Sequence, residues 1–364
     1  MGTTRNNQSR AVTEEKIRNL IRDLVVQEQT VFPSERELSA RVGGSRTVIR
    51  EILEKLEQEK KLLKTPNGRA VNPQTNQIRV LFIAHGRNMI GNPAWARLWQ
   101  AFQIQTKNTI LNPELHLVRY WPEEIEEDIR KLMRDPARYA VICSDKYMEP
   151  LIRHWIEKKK NLIFTDEAYL HYGQPVIALN NEKVGEMAAE ELFRYGFRSP
   201  ALLTPDHSDQ SYSPYTKRIE AFSRKCAELG MDFRPEQDIY RVFYQKGHLQ
   251  NYIWKTMKIA QEKRYDSLFL TTDDNLPLVL EILNEQQRPV PGEDLGLITL
   301  NAQNNAETSV TRVNSISHVT NETAAYLAKN ILAHADGLIT EIPTISIKPT
   351  IHEGETLCLR KRKK

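Results

Sequence analysis

Arg46 and Arg50 stand four residues apart in Ser45-Arg-Thr-Val-Ile-Arg50, so on a helix they share one face near its start. Two guanidiniums placed there can read a nucleic acid. The arginine fork matches O6 and N7 of guanine, while Ser45 and Thr47 can donate to phosphate, helped by the helix N-terminus. The alternative is a solvated helix on which they pair with Glu51 or Glu54, with Arg41 and Lys55 as ordinary surface charges. Other reactive strings are weaker. Glu167 and His171 have the spacing of a metal pair, but Tyr169 and Gly173 make that segment read as a loop. Asp206-His207-Ser208 is only a string, because a triad is defined by geometry. No glycine-rich phosphate loop follows the first strand of the longer part, where His85-Gly86-Arg87 stands, and no G-x-S-x-G elbow occurs. The expectation is a protein that is not an enzyme and takes no cofactor or metal.

The elements around the arginines read as three helices and a hairpin. Ile17, Leu20, Ile21, Leu24 and Val25 recur at helical spacing over roughly Thr13 to Gln29. Ser34 followed by Glu37 forms a capping box that opens a short helix bearing Leu38 and Val42. Gly43-Gly44 breaks it, and Ser45 caps the next helix, with Val48, Ile49, Ile52, Leu53 and Leu56 turned inward. Strands Leu62–Thr65 and Arg69–Val71 flank Pro66-Asn67-Gly68, a hairpin signal.

Residues 71–77, polar and with Pro73, read as a linker without helical pattern. From Ile78 strands alternate with helices. Strands are expected at 79–84, 116–120, 139–143 and 161–165, then at 199–203, 239–244, 267–271 and 295–300, with helices between. Such alternation implies parallel sheets covered on both faces, here as two similar lobes in series.

Bulk properties agree. The chain of 364 residues is long enough for a small domain and a two-lobed one, and at 40% hydrophobic and 27% charged it is of the soluble globular class. No apolar run suits a membrane helix, and Met1 to Arg10 has no secretory h-region, so a cytoplasmic location is expected. Cys143, Cys226 and Cys358 are too few and scattered for a disulfide framework or zinc ribbon. Charge is unevenly spread. Residues 1–77 hold 14 Lys/Arg against 10 Asp/Glu, whereas residues 78–359 are net −5 and the tail 360–364 is wholly basic. A basic head on an acidic body suits a polyanionic partner for the head.

The stretch Phe32-Pro-Ser-Glu-Arg-Glu-Leu38, continued through Gly44-Ser-Arg-Thr-Val-Ile-Arg-Glu51, resembles the GntR-type winged helix-turn-helix signature over about residues 10–72. Gly44 stands where that family usually has Val, and Val48 where it often has Thr. The resemblance implies DNA contacts from Arg36, Ser45, Arg46, Thr47 and Arg50, and from Asn67 and Gly68 at the wing tip.

Residues 78–359 resemble the effector domain of LacI/GalR regulators, which is periplasmic-binding-protein-like. The landmarks are Asn92-Pro-Ala-Trp95, Ala178-Leu-Asn-Asn181 with Val184-Gly185, Tyr195-Gly-Phe-Arg-Ser-Pro-Ala201, Arg218-Ile-Glu-Ala-Phe222, Thr272-Asp273-Asp274, and Val290-Pro-Gly-Glu-Asp294 leading to Asn301. A GntR head on such a body is the AraR-like architecture. The implied fold is α/β: an N-terminal winged helix-turn-helix domain (1–70), a linker (71–77), and a two-lobed effector-binding and dimerisation domain with parallel sheets (78–359), ending in a basic tail (360–364). The implied function is a homodimeric transcription regulator, a repressor of carbohydrate-utilisation genes bound to operator DNA and released by a mono- or disaccharide. The alternatives are a solute-binding protein or a regulator answering to a non-sugar metabolite. In such a fold ligand lies between the lobes, at the carboxyl ends of the strands. The matching positions are His85, Asn92, Trp95, Asp145, Asp166, Arg218, Asp273, Asn301 and His318. Trp95 could instead be core, Asp166 a helix cap, and Arg218 a surface partner of Glu220 or Glu228.

Overall fold

Local signals explain the head. In a computed structural model, which describes residues 2–27, 29–85, 93–119, 122–143, 148–206, 214–243, 248–262, 264–273, 276–285, 294–301 and 312–359, the chain opens with α1 (Gly2–Val26). β1 (Val31–Phe32), α2 (Glu35–Val42) and α3 (Arg46–Gln58) follow, then β2 (Leu62–Thr65) and β3 (Gly68–Val71). The capping box forms as expected: Ser34 N donates to Glu37 Oε2 at 2.8 Å, and Glu37 N to Ser34 Oγ at 3.4 Å. Gly43 and Gly44 take φ of 74° and 107°. The second value is one a β-branched residue avoids, so this helix-turn-helix corner is built differently from one with Val at position 44. Ile17, Ile21, Leu38, Ile49, Ile52, Leu53 and Leu56 are buried together as the head's core. β1 is an unexpected strand. It pairs antiparallel with β3, making a three-stranded sheet β1-β3-β2.

The connecting segment departs from expectation, because residues Pro73–Asn76 form a short helix, α4. Proline at the first helical position suits a helix start. The segment is tied to the head: Asn72 N and Asn76 Nδ2 donate to Lys61 O at 3.1 and 2.8 Å, and Lys61 Nζ donates to Thr75 O. The head also packs on the body. Ile110, Ile78 and Leu332 join its apolar cluster, and Arg22 Nη2 meets Asp336 Oδ1 at 2.6 Å.

The body begins with β4 (Ile78–His85), α5 (Pro93–Thr106), β5 (Leu111–Val118), α6 (Pro122–Met133), β6 (Tyr139–Ile142), α7 (Glu149–Glu157) and β7 (Asn161–Phe164). The strands form a parallel sheet of order β5-β4-β6-β7. β5 starts five residues earlier than expected and includes Pro113. An edge strand tolerates a proline, since one side of it needs no donor. β8 (Ile177–Leu179) and α8 (Asn181–Arg194) lead to the second lobe: β9 (Pro200–Asp206), α9 (Pro214–Glu228), α10 (Pro235–Asp238), β10 (Ile239–Phe243), α11 (His248–Gln261), β11 (Ser267–Leu270), α12 (Leu276–Glu285), β12 (Gly296–Leu300) and β13 (Asn314–Ile316). Its sheet runs β10-β9-β11-β12-β13-β15, parallel except for β15 (Ile351–His352).

The lobes are not simply in series. After β13 the chain returns through α13 (Thr320–Ala335), which packs on α5, and β14 (Ile345–Ile347), which pairs with β8. One apolar cluster therefore runs from Val80, Phe82 and Phe102 through Ile177 and Val184 to Phe222 and Phe269. No described helix is long and apolar enough to cross a membrane.

Candidate nucleic-acid interface and effector cleft

At the front of the head, Ser45 caps α3, accepting from Val48 N at 3.4 Å, which leaves Arg46 and Thr47 in the first turn. Arg36, Ser45, Arg46, Thr47, Arg50, Asn67 and Gly68 are all exposed. Arg50 is held from the neighbouring helix: its Nη2 lies 2.9 Å from Glu35 Oε2, and the guanidinium holds the Glu35 carboxyl below its usual range. This is neither of the partners expected from spacing. Such exposed pairs are worth about 0–1 kcal/mol and yield readily to a phosphate or base. Arg46 and Arg36 make no ion pair with any described residue. Gly68, with φ 128°, opens β3 directly after the Pro66-Asn67 turn. The surface is thus a cationic helix face beside a hairpin tip.

The cleft between the lobes is built around Arg218 on α9, which is 6% exposed. Its Nε donates to Asn181 Oδ1 at 2.8 Å and its Nη1 to Thr271 O at 2.7 Å, with the guanidinium 5.1 Å from the Tyr215 ring. It is therefore not a surface partner of Glu220 or Glu228. Asn181 Nδ2 in turn donates to Glu167 Oε2 at 3.0 Å, and Lys217 Nζ reaches the same oxygen at 3.2 Å. Glu167 follows the first lobe's β7, so this polar chain crosses between lobes. Glu167 Oε2 is thus shared by Asn181 and Lys217, while His171 Nδ1 contacts Ala168 O at 2.9 Å.

Asp166 caps the 3-10 turn Glu167–Tyr172 by accepting from Ala168 N at 2.9 Å. Burial raises its carboxyl above the usual range, against the pull of that N–H and of Arg218. Asn301, buried with φ 62°, donates to Asp273 Oδ2 at 3.3 Å. Asp273 also faces the charge of Arg97, a half-buried guanidinium on α5 that burial pushes down. His318 keeps part of its area open yet lies deep among protein groups. Burial, then Arg218 and Arg97, push its imidazole down to about 3, so it is neutral. Trp95 is 8% exposed and meets the His318 ring edge-on at 6.4 Å, so it is largely core. Asn92 and Asp145 lie outside the described residues, as does the side chain of His85. Lys217 and Arg97 were not singled out from the sequence, whereas Glu167 was, as a possible partner of His171. Asn181 carried a signal, inside the motif before Gly185.

Gly185 fixes the packing behind Arg218. A Cβ there would stand 2.2 Å from Arg218 O and 2.8 Å from Phe222 N. Backbone cannot yield as a side chain does. Gly185→Ala should cost about 1–3 kcal/mol or more and lower the urea midpoint. An unchanged midpoint would mean α8 and α9 are not so closely packed.

Comparison with known proteins defines the class. Residues 10–71 match the model of bacterial regulatory proteins of the gntR family, and residues 189–357 that of the periplasmic binding protein-like domain. The chain therefore joins a GntR-type winged helix-turn-helix to a periplasmic-binding-protein-like body, and is a DNA-binding transcription regulator. No curated protein sequence matches it. Among solved structures it is similar to a transcriptional regulator CelR–cellobiose complex (TM-score 0.64, 15% identity, 89% of this chain and 100% of that one). A LacI family regulator from Enterococcus faecium with bound ribose follows (TM-score 0.62, 14% identity, 78% and 100%). So does the lac repressor dimer bound to operator and the anti-inducer ONPF (TM-score 0.62, 11% identity, 78% and 94%). At these identities the likeness is one of fold.

Proposed function

We propose that the chain is a cytoplasmic, homodimeric repressor of carbohydrate-utilisation genes, released from its operator by a mono- or disaccharide. In this reading residues 1–70 bind DNA, 71–77 connect, and 78–359 bind effector and dimerise. The observation that carries it is the cleft around Arg218, where a guanidinium, carboxylates, amides and a neutral imidazole converge between two lobes. Hydroxyl-rich ligands need such paired donors and acceptors without large net charge. Neighbours of the same fold carry cellobiose and ribose, which supports a sugar. The ligand contacts proposed are Asp166, Arg218, Asp273, Asn301 and His318, together with Asn181 and Arg97. The DNA contacts proposed are Arg36, Ser45, Arg46, Thr47, Arg50, Asn67 and Gly68.

The test is a gel shift of the full chain on its own upstream DNA, with and without a panel of sugars. A two-fold dimer should select an imperfect palindrome. Arg46→Ala should weaken specific binding by about 1–3 kcal/mol and relax base preference. Undiminished operator affinity in that variant would remove α3 as the reading helix. If no sugar shifts the complex or the melting temperature, the effector is another polar metabolite.

A further inference from the structure

A second cavity lies at the seam between head and body, apart from the cleft, with a volume of about 490 Å³. That is within the range of small-ligand sites, about 300–1,000 Å³. Five cations line it (Arg18, Arg22 and Lys61 from the head, Arg79 and Arg138 from the body) against one carboxylate, Asp336. Three of the five are paired: Arg18 with Glu14 and Glu59 at 2.7 and 2.9 Å, Arg79 with Glu114 and Asp135 at 2.6 and 3.3 Å, and Arg22 with Asp336 at 2.6 Å. Lys61 and Arg138 have no carboxylate within 4.0 Å among the described residues. Lys61 Nζ donates to the carbonyl of Thr75, and the Arg138 guanidinium sits 5.5 Å from the ring of its neighbour Tyr139. Burial depresses the Lys61 ammonium, and the nearby charges of Arg18 and Arg22 depress it further, against the pull of Glu59. With the other three cations already paired, an added anion is best placed beside Lys61 and Arg138, where it gains attraction without displacing a carboxylate.

We propose that this seam cavity binds a small phosphorylated metabolite, held by Lys61 from the head and Arg138 from the body. Arg binds phosphate as a fork and Lys as a point charge, so the pair suits a terminal phosphate. Operator DNA is the other source of phosphate. Leu56, which lines the cavity, lies ten residues beyond Arg46 on α3, about 15 Å along the axis from the DNA-facing turn. The cavity therefore opens at the rear of the head. A ligand there bridges both units and stiffens the seam, independently of what the cleft binds.

The experiment is calorimetric titration of the full chain with sodium pyrophosphate, against sodium chloride at matched ionic strength. Saturable binding is expected, weakened at least about tenfold in the double variant K61Q/R138Q and retained in K61R/R138K, which keeps the charges. Binding should persist in Asp273→Ala, which alters only the cleft. Far-ultraviolet circular dichroism of K61Q/R138Q checks that it is folded. Operator affinity without pyrophosphate should be the same in K61Q/R138Q as in the wild type. A fall in that affinity with a shallower salt slope would assign the cations to DNA phosphate and overturn the proposal. Heats no greater than the sodium chloride control, or equal binding by K61Q/R138Q, would overturn it as well.

Discussion

Replacing Arg218 with methionine should abolish the response to effector while leaving operator binding of the free protein intact. The side chain is buried, with its Nε on Asn181 Oδ1 and its Nη1 on Thr271 O. Methionine keeps much of the length and removes the charge, leaving both acceptors without their donor, each at a cost of about 1–3 kcal/mol. Charge-assisted contacts to ligand hydroxyls contribute about 1.5–3 kcal/mol, so affinity for the sugar that releases the wild type should fall roughly ten- to hundredfold. The proposed DNA-reading face at Ser45–Arg50 stands on the head's own apolar cluster, so the gel shift without sugar should not change. Arg218→Lys separates charge from geometry: it keeps the cation and loses the fork, and should recover little. Full release by sugar in both variants would remove Arg218 from the binding site.

The head was legible from its sequence and the body only in part, because the two rest on signals of different range. The capping box at Ser34 and Glu37, the Gly43-Gly44 break and the Asn67-Gly68 hairpin are local, and each formed where its residues stand. β1 escaped because two residues carry no periodicity. Its pairing with β3, where Phe32 meets Arg69 from 37 positions away, makes it a strand. α4 escaped because one helical turn of Pro-Gln-Thr-Asn has no apolar face, and its bonds to Lys60 and Lys61 are tertiary. β5 was misplaced because Pro113 reads as a break until the strand is known to lie at a sheet edge. In the cleft, the sequence marked positions at strand ends. It could not show that Asn181 and Glu167 complete a chain with Arg218, since their partners are 37 and 14 residues away. Arg97 became visible only when α5 was seen opposite Asp273.

Inserting a flexible Gly/Ser stretch after Gln77 should leave operator and effector binding each near its wild-type strength and remove their mutual influence. A linker without structure would act only by its length, whereas the observed one is a short helix bonded to Lys60 and Lys61. The seam beside it carries Ile110, Ile78 and Leu332 against the head and the pair Arg22–Asp336. Asp336 directly follows α13, the element that returns from the second lobe and packs on α5. Val319, just before α13 and next to His318, holds φ 52°, a conformation costly for a β-branched residue. Closure of the cleft on a sugar would thus shift α13 and, through Asp336 and Leu332, the base of α1. In a dimer that motion takes two heads out of register with their half-sites. Coupling of this kind amounts to about 1–3 kcal/mol, or roughly 5- to 150-fold in affinity, and by linkage operator DNA must weaken sugar binding by the same factor. The insertion should bring both factors close to one. Arg22→Ala alone should lower them by less than about tenfold, because a partly exposed ion pair contributes about 0–1 kcal/mol. Full sugar-dependent release in a chain carrying both the insertion and Ile110→Ala would rule the seam out as the route, and would leave rearrangement of the body dimer as the means by which the heads are moved.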